Sequence, residues 1–191
     1  PAGKRVIDVG CGGGIYSRAL SEMGAASVVA VDFSAAMLDQ AQQTCSLLEN
    51  VSFVQASAEA IPVPDQSADM ILARGLIHHL AEIDGFAHEL ARLLAPGGMV
   101  LIQDRTPDDI SLPAGPENIR GYTFEVFPHL RDLDLNRRYT SDQVHDALQQ
   151  AGLQVCPDAT VDEVRIIHDD PESFADSLRR LIPVHYRHTK I

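Results

Sequence analysis

The stretch Val6-Ile-Asp-Val-Gly-Cys-Gly-Gly-Gly14 decides the fold of this chain. It joins a short β-branched run at residues 5–9 to a glycine-rich turn, and a helical pattern follows the turn. Glycine tolerates positive φ, and because it lacks a Cβ it lets a ligand lie against main-chain N–H groups. A strand, a glycine-rich turn and a helix in this order predict the first unit of a parallel sheet whose edge binds a ligand.

The same alternation of strand and helix continues to residue 103. Further β-rich runs occur at 27–31, 51–55, 69–73 and 99–103. Apolar residues at helical spacing place one buried face on the first helix (Ile15, Ala19, Leu20, Met23) and one on the third (Ile83, Phe86, Leu90, Leu94). Ser34 is expected to cap the second helix, which extends to about Thr44. We therefore expect a doubly wound α/β domain with a mostly parallel sheet covered on both faces.

The rest of the chain divides into two parts. Residues 105–139 carry four prolines and four aromatic side chains without a regular period, and a connection of this length predicts a lid or a wall of a binding site. A helix capped by Thr140 or Ser141 and ended by Gly152 follows, then short strands near 153–156 and 161–167, and a helix from Pro171. We expect one domain over residues 1–191, with its cofactor-binding half at 1–104.

Charge and cysteine content exclude several classes of protein. The chain has 15 Lys and Arg against 27 Asp and Glu, for a net charge of −12, and the excess of acid is spread over both halves. This argues against a nucleic-acid or anionic-membrane partner. Cys11, Cys45 and Cys156 are odd in number and far apart, which favours a reducing compartment and a cytoplasmic protein. The chain starts at Pro1, so we expect a further segment before it.

The residues around the glycine-rich turn are informative about the ligand. A dinucleotide fingerprint requires glycine at position 15, where this chain has Ile15. Asp8 would repel a pyrophosphate but suits a ligand with a cationic centre. Asp32 ends the second strand, where a carboxylate accepts hydrogen bonds from ribose hydroxyls or, alternatively, caps the next helix. Phe33 follows it and is placed to contact an adenine ring.

Four motifs in this order resemble the class I S-adenosylmethionine-dependent methyltransferases of the small-molecule type. They are Val6-Ile-Asp-Val-Gly-Cys-Gly-Gly-Gly14, Val31-Asp-Phe-Ser34, Ala58-Glu-Ala-Ile-Pro62 and Leu94-Ala-Pro-Gly-Gly98. The resemblance covers about residues 4–104 and implies a Rossmann-like sheet of seven strands, the last antiparallel, with a lid-like insertion after strand 5. It also implies S-adenosylmethionine as cofactor and S-adenosylhomocysteine as product.

The resemblance implies a role for individual residues. Gly10 and Gly12 would hold the methionine part of the cofactor through their backbone, and Asp8 would lie near its amino group. The full set around the cofactor is Asp8, Gly10, Cys11, Gly12, Asp32, Phe33, Ser57, Ala58 and Arg74. Many relatives have Asp where this chain has Ser57, and a hydroxyl accepts from the adenine amino group without charge assistance, so we expect weaker cofactor binding.

Two histidines follow the fourth strand, where cofactor and acceptor should meet. His78 and His79 are candidates for a catalytic general base, although one could pack under the sheet edge and the other could cap the next helix. Arg74 is expected to turn away from the sulfonium and pair with an acid. The arginines at 120, 131, 137 and 138 could meet an acidic substrate, but acids lie among them, and a self-paired, solvated surface is the favoured prediction. No Cys or His spacing indicates a metal site.

The sequence thus predicts methyl transfer from S-adenosylmethionine to a small-molecule acceptor. Because the sulfonium is already activated, the protein mainly has to align the acceptor and exclude water. Two alternatives remain open at this point: a cofactor-binding module or fragment without catalysis, and, less favoured because of Ile15 and Asp8, an NAD-dependent reductase.

Overall fold

The computed structural model describes residues 1–115 and 118–154, whose central element is a parallel sheet of five strands. The strands are β1 Arg5–Val9, β2 Ser27–Asp32, β3 Val51–Gln55, β4 Ala68–Arg74 and β5 Leu94–Gln103. Their spatial order is β3-β2-β1-β4-β5, and each neighbouring pair is parallel. The order reverses between β1 and β4, so the crevice outside their carboxyl ends is the expected place for a ligand.

Helices cover both faces of the sheet. They are α1 Ile15–Glu22, α2 Ala35–Thr44, α3 Ile83–Leu93, α4 Pro107–Ser111, α5 Ile119–Val126, α6 Pro128–Leu135 and α7 Ser141–Gln150, with a short 3₁₀ turn at Ile77–His79. On one face Val6 packs with Leu20 of α1, and on the other Ile7 packs in the cluster that holds Phe86 of α3 and Leu148 of α7. Alternate β1 side chains therefore point to opposite faces, which confirms the doubly wound arrangement.

The predicted helix starts are confirmed by their caps. Ser34 accepts a hydrogen bond from the Met37 N–H at 3.4 Å, and Thr140 accepts one from the Gln143 N–H at 3.2 Å. The Gln143 side chain returns a bond to the Thr140 N–H, which completes a capping box. Gly152 follows α7 with φ of 85°, as the prediction of a glycine stop requires.

Two sequence predictions need correction. Ile15 of α1 and Met23, the residue after α1, are exposed, because the helix turns Ser17 and Leu20 to the sheet instead. The described residues form five strands rather than seven. The two further strands fall near 153–156 and 161–167; Leu153 and Gln154 are described and lie in no strand, and the remainder is outside the described residues.

The segment 105–139 differs from the irregular connection that its prolines suggested. Its described part contains the helices α4, α5 and α6. Proline stands at the first position of α4 and of α6, where its missing N–H costs no helical hydrogen bond. In the described ranges, no helix is long and apolar enough to cross a membrane.

Candidate active site

The glycine-rich turn after β1 leaves open space beside its backbone. The N–H groups of Gly10 and Cys11 both donate to the carbonyl oxygen of Val31, at 2.8 and 2.9 Å, which ties the turn to β2. Gly10, Gly12 and Gly14 all have positive φ. A Cβ at Gly14 would lie 2.9 Å from the Cα of Ala41, whereas a Cβ at Gly12 would have no atom within 4 Å. Gly14 thus serves packing, and Gly12 borders the space a ligand can occupy.

Asp32 is fixed at the carboxyl end of β2 by two backbone donors. Its Oδ2 accepts from the Gly12 N–H at 2.8 Å and its Oδ1 from the Ser34 N–H at 2.9 Å. The cap of α2 is Ser34, so the alternative that Asp32 serves as that cap is wrong. Phe33 is 79% exposed beside it. A partly exposed carboxylate and a bare aromatic ring next to an open glycine turn suit a ribose and an adenine.

Asp8 has a different environment from Asp32. It lies on β1 with 2% exposure, and its Oδ2 accepts a hydrogen bond from the Ser17 hydroxyl of α1 at 2.6 Å. Burial raises the pKa of Asp8 to about 6, against the effect of that hydrogen bond. Burial, with the charges of Asp8 and Asp32, raises the pKa of the Cys11 thiol to about 12. The thiol is therefore neutral, and the two carboxylates make this edge negative.

Ser57 and Ala58 lie at the next strand end, after β3. The N–H of Ala56 donates to the carbonyl oxygen of Asp32 at 3.2 Å, which holds this segment beside β2. The Ser57 hydroxyl accepts from the Glu59 N–H at 3.3 Å, and Ala58 is buried. The residues predicted to contact adenine thus lie next to Asp32. The Ser57 hydroxyl oxygen already accepts one hydrogen bond, from the backbone of its own turn.

Arg74, the last residue of β4, is turned toward an aromatic ring and an amide. Its Nε donates to Gln103 Oε1 at 2.9 Å, and its guanidinium lies 4.5 Å from the centre of the Tyr16 ring. These two contacts are made by an amide and by an aromatic ring, in addition to the acidic partner that the sequence predicts for Arg74. The charge of Arg74 still acts on Asp8, where it opposes the rise in pKa.

His78 is held by a carboxylate that the sequence prediction missed. Its Nδ1 lies 2.8 Å from Oδ2 of Asp104, the residue after β5, and its side chain is 12% exposed. Burial would raise the pKa of Asp104, but the hydrogen bonds from His78 and the Arg105 N–H and the charges of His78 and Arg138 hold it below its usual value. An ionised Asp104 accepts from Nδ1–H of His78, which favours the imidazole tautomer with its lone pair on Nε2.

His79 lies against His78, with ring centres 4.1 Å apart. His79 is exposed, and it does not cap α3, whose N-cap is Glu82. Partial burial of the ring, with the nearby charges of His78 and Arg137, lowers the pKa of His79. His79 is therefore neutral at pH 7 and lacks the carboxylate contact that orients His78.

Behind Asp104, the arginines pair with acids as predicted and Arg120 and Arg137 are exposed, but Arg138 and its partner Asp134 are buried rather than solvated. Arg138 is 3% exposed and donates to Asp104 Oδ1 and, at 2.8 Å, to Asp134 Oδ1, which Arg137 also contacts at 2.7 Å. The sequence predicted solvated pairs because acids lie among these arginines, whereas Arg138 is buried by its additional contact with Asp104 at the end of β5. The Tyr139 hydroxyl donates to the Leu80 carbonyl at 3.1 Å, which holds the histidine turn from the same side.

Some of the missed residues left a signal in the sequence. Asp104 directly follows the fifth strand pattern, and every other strand end of the sheet carries a site residue. Ser17 and Asp134 left none, since a buried serine or aspartate is recognised only once its partner is known. Within the described ranges, no group of three or more His, Cys, Asp or Glu side chains could hold a metal ion.

Comparisons with known proteins show the family to which the chain belongs. The chain belongs to the family described as methyltransferase domain, which matches residues 7–102. It is 36% identical over 101 residues to a demethylmenaquinone methyltransferase of Tropheryma whipplei, covering 53% of this chain and 41% of the relative. It is 34% identical over 103 residues to a ubiquinone biosynthesis O-methyltransferase of Chelativorans, covering 52% and 40%. The chain thus spans about two fifths of the length of these relatives.

A solved structure extends the likeness to the fold. A SAM-dependent methyltransferase of Aquifex aeolicus superposes with a TM-score of 0.62 at 27% identity, covering 81% of this chain and 74% of that one. S-adenosylmethionine is the cofactor of the family. The described residues fit it, because open space borders Gly12, Asp32 stands next to that space and Phe33 is bare.

Proposed function

We propose that this chain transfers a methyl group from S-adenosylmethionine to a small-molecule acceptor. The observation that carries the proposal is the geometry at the carboxyl ends of β1 and β2, where Asp32 is bonded to the open Gly12 turn. Bound there, S-adenosylmethionine supplies a methyl group whose bond to sulfur breaks as the bond to the acceptor forms, leaving S-adenosylhomocysteine. The carboxylates of Asp8 and Asp32 favour a cationic ligand at this edge.

The residues around this turn would hold the cofactor in distinct ways. The backbones of Gly10, Cys11 and Gly12 line the methionine side, and Asp8 makes that side negative. Asp32 would accept from the ribose hydroxyls, and Phe33, Ser57 and Ala58 would contact adenine. Arg74 is held against Tyr16 and Gln103, so it would contribute its backbone rather than its charge.

We assign the general base to His78, with His79 packed against it. An acceptor hydroxyl or acidic carbon loses a proton as it attacks, and Nε2 of His78 is the nitrogen with a lone pair when Asp104 holds Nδ1–H. His79 would keep the first ring in place through their 4.1 Å contact. The acceptor bond and the proton transfer then occur on the β4 and β5 side of the sheet.

The segment 105–139 would form the acceptor side of the site. Asp134 of α6 is joined to Asp104 through Arg138, so this segment is tied to the histidine. Tyr122 and Phe127 are half exposed and offer aromatic surface to a ring. The two curated relatives are named for demethylmenaquinone and for ubiquinone biosynthesis, so we propose a quinone-related ring as the first acceptor class to test. A seven-stranded sheet and a cytoplasmic location stay predictions.

Calorimetric titration tests the cofactor assignment. S-adenosylmethionine should bind the wild-type chain, NAD should not, and Asp32→Ala should weaken S-adenosylmethionine binding at least tenfold because two ribose hydrogen bonds are lost. Asp39→Ala, an exposed acid of α2, is the matched control. Binding of NAD alone would overturn the proposal in favour of a reductase.

Turnover requires a second measurement. Label from methyl-labelled S-adenosylmethionine should pass to at least one member of a panel of hydroquinones, catechols and phenols, with S-adenosylhomocysteine released in equal amount. Tight cofactor binding without transfer to any acceptor in the panel or in a small-molecule cell extract would instead indicate a non-catalytic module.

A further inference from the structure

Four arginines and three carboxylates lie together where β5 ends. This arginine cluster consists of Arg105, Arg120, Arg137 and Arg138 with Asp104, Asp109 and Asp134. Its positive charges outnumber its negative ones in a chain whose net charge is −12. An excess of positive charge at a half-buried place in an acidic protein requires an explanation.

Two of the arginines are satisfied inside the cluster. Arg138 bridges Asp104 and Asp134, and Arg137 donates from Nε and Nη2 to Asp134 Oδ1 at 2.9 and 2.7 Å. These contacts use Asp104 Oδ1 and Asp134 Oδ1, whereas Oδ2 of Asp134 is buried and accepts no hydrogen bond from a described residue. Arg137 and Arg138 therefore hold the structure together and have little capacity for a ligand.

The other two arginines keep unused donors. Arg105 is half-buried, and its guanidinium has no hydrogen bond or ion pair with any residue that the structure describes; only its backbone N–H is bonded, to Asp104 at 2.8 Å. Arg120 lies 3.7 Å from Asp134 Oδ2, beyond hydrogen-bond length, with its guanidinium 5.8 Å from the Phe124 ring centre. A guanidinium carries five N–H donors in a planar fork that suits an oxyanion.

The electrostatics of Arg105 agree with a missing anion. Burial lowers its pKa, and repulsion by Arg120 and Arg138 lowers it further, more than Asp134 and Asp109 raise it. Placing a negative group between Arg105 and Arg120 would remove that repulsion and restore the hydrogen bonds that burial denies to the guanidinium.

The position of Arg105 connects this anion site with the acceptor. Arg105 directly follows Asp104, the partner of His78, and it lines a small cavity together with Ile77, Thr106 and Tyr139. The cavity lies beside the histidine turn, on the β5 side of the site and on the opposite side of β1 from Asp32. Arg120 does not line this cavity, so the cavity locates Arg105 but does not itself hold the anion. An anion bound by Arg105 would lie on the acceptor side of the site rather than on the cofactor side.

We propose that Arg105 and Arg120 bind an anionic group, a carboxylate or a phosphate, of the molecule that is methylated. The inference rests on the proposed function only in identifying the bound molecule as the methyl acceptor. The two guanidinium groups would fix one end of the acceptor and so orient the reacting atom relative to His78. Acceptors with an acid group on the ring would then be preferred over their neutral amides and esters.

Binding of simple probes tests the proposal without turnover. Benzoate, phenyl phosphate and the neutral benzamide are titrated into the chain with and, separately, without excess S-adenosylhomocysteine, and binding is followed by ligand-observed NMR. Benzoate or phenyl phosphate should bind at least tenfold more tightly than benzamide, and the stronger of the two identifies the acid. Equal binding of all three probes, or no binding of either anion at 20 mM, overturns the proposal.

Arginine variants locate the site. Arg105→Gln and Arg120→Gln should each weaken binding of the stronger anion about tenfold and leave benzamide unchanged. Arg131→Gln is the matched control, because Arg131 is an exposed arginine of α6 outside the cluster. Loss of anion binding in Arg131→Gln but not in Arg105→Gln contradicts the assignment. The comparison of benzoate with benzamide uses the wild-type chain, so the test stands even if a variant fails to fold.

S-adenosylhomocysteine binding, measured on the same samples, separates this inference from the proposed function. If the cofactor product binds and neither anion does, the acid site is wrong and the methyltransferase assignment is untouched. If the anions bind as expected but the chain binds neither S-adenosylmethionine nor S-adenosylhomocysteine, the proposed function is wrong while the anion site stands.

Discussion

Asp8 and Asp32 stand at the ends of neighbouring strands and carry the same charge, yet their surroundings assign them different tasks. Asp32 is partly exposed and accepts from two backbone N–H groups, which fix its carboxylate where a ligand can reach it. Asp8 is buried with one hydroxyl donor, which compensates its charge only in part. A cationic ligand close to Asp8 would lower the free-energy cost of burying its charge. The ionised Asp8 therefore destabilises the chain without ligand and would be stabilised by the bound cofactor.

The buried charge of Asp8 makes the stability of the free chain depend on pH. Its pKa is about 6 in the folded chain against an ordinary value of 3.8, so between these values the folded chain binds more protons than the unfolded one. The free energy of unfolding should therefore fall as pH rises from 4 to 7, by roughly 2–3 kcal/mol from this group. Asp8→Asn removes the charge and retains an acceptor for Ser17, so it should be more stable than wild type by about 2 kcal/mol at pH 7.5.

Urea denaturation of wild type and Asp8→Asn at pH 5 and pH 7.5 measures this difference. The gain in stability should shrink at pH 5, and S-adenosylmethionine binding should weaken at both pH values. Asp39→Asn, an exposed acid, should change neither quantity. An equal gain at both pH values would show that the charge of Asp8 is not its source.

Asp104→Asn tests the orientation of His78. Without the carboxylate, Nδ1 no longer has a charged acceptor, and the tautomer with a lone pair on Nε2 loses its preference. We expect turnover to fall about a hundredfold while S-adenosylmethionine binding stays within twofold, because Asp104 lies outside the cofactor residues. His78→Gln should lose as much, and the double variant no more than either single one.

Stability has to be followed in the same experiment, since Asp104→Asn leaves the buried Arg138 with one carboxylate instead of two. Assays below the unfolding midpoint of the variant, with Asp142→Asn of α7 as an exposed control, separate lost folding from lost chemistry. Additive losses in the double variant would show that Asp104 does not act through His78.

At the scale of elements, the sequence predicts the repeating strands and helices of the sheet well. The strand bounds of β1 and β3 match the prediction, because buried parallel strands are short β-branched runs bounded by turns. β5 begins earlier than predicted, at Leu94, since Leu94 pairs with Ala68 across an irregularity in the register. α4 to α6 were not predicted, because proline interrupts their pattern.

The candidate site likewise has one side that the sequence predicts and one side that it does not. Its cofactor side follows one contiguous motif and the strand end at Asp32, and both are visible in sequence. Its histidine side depends on Asp104 and Arg138, which are 34 positions apart. Whether an arginine there is a solvated surface group or a buried partner depends on packing between distant segments, and single-residue patterns do not contain that information.

Two glycines of the turn between β1 and α1 should respond differently to the same substitution. Gly14→Ala adds a methyl 2.9 Å from the Cα and Cβ of Ala41, so α1 and α2 have to separate, and the positive φ adds its own strain. We expect a loss of about 2–4 kcal/mol in the free energy of unfolding.

Gly12→Ala carries only the strain of positive φ, about 1 kcal/mol, because no atom lies within 4 Å of the added methyl. The methyl occupies the space proposed for the cofactor, so S-adenosylmethionine binding should fall at least tenfold. Urea denaturation and calorimetry on both variants give the comparison. A Gly12→Ala variant that binds S-adenosylmethionine normally would contradict the cofactor site at this turn.

At the scale of the molecule, charge is distributed unevenly around one edge of the sheet. The carboxylates of Asp8 and Asp32 lie on the β1 and β2 side, and the arginine cluster lies past β5. A cationic cofactor and an anionic acceptor would therefore approach the site from opposite sides, and each would find its complementary charge. Such a separation would favour one relative orientation of the two reactants.

The remaining charge of the chain should govern its response to salt. A net charge of −12 repels itself in the compact state, and ions screen exposed charges far more than buried ones. Raising NaCl from 20 to 300 mM should thus raise the unfolding midpoint at pH 7.5 by about 2–4 °C, as roughly 1 kcal/mol does for a domain of this size. The double variant Asp39→Asn with Asp142→Asn should show a smaller rise. If the unfolding midpoint falls with salt, the ion pairs around Asp134 are screened more strongly than the repulsion between the exposed acids. The arginine cluster would then be more open to solvent than its burial indicates.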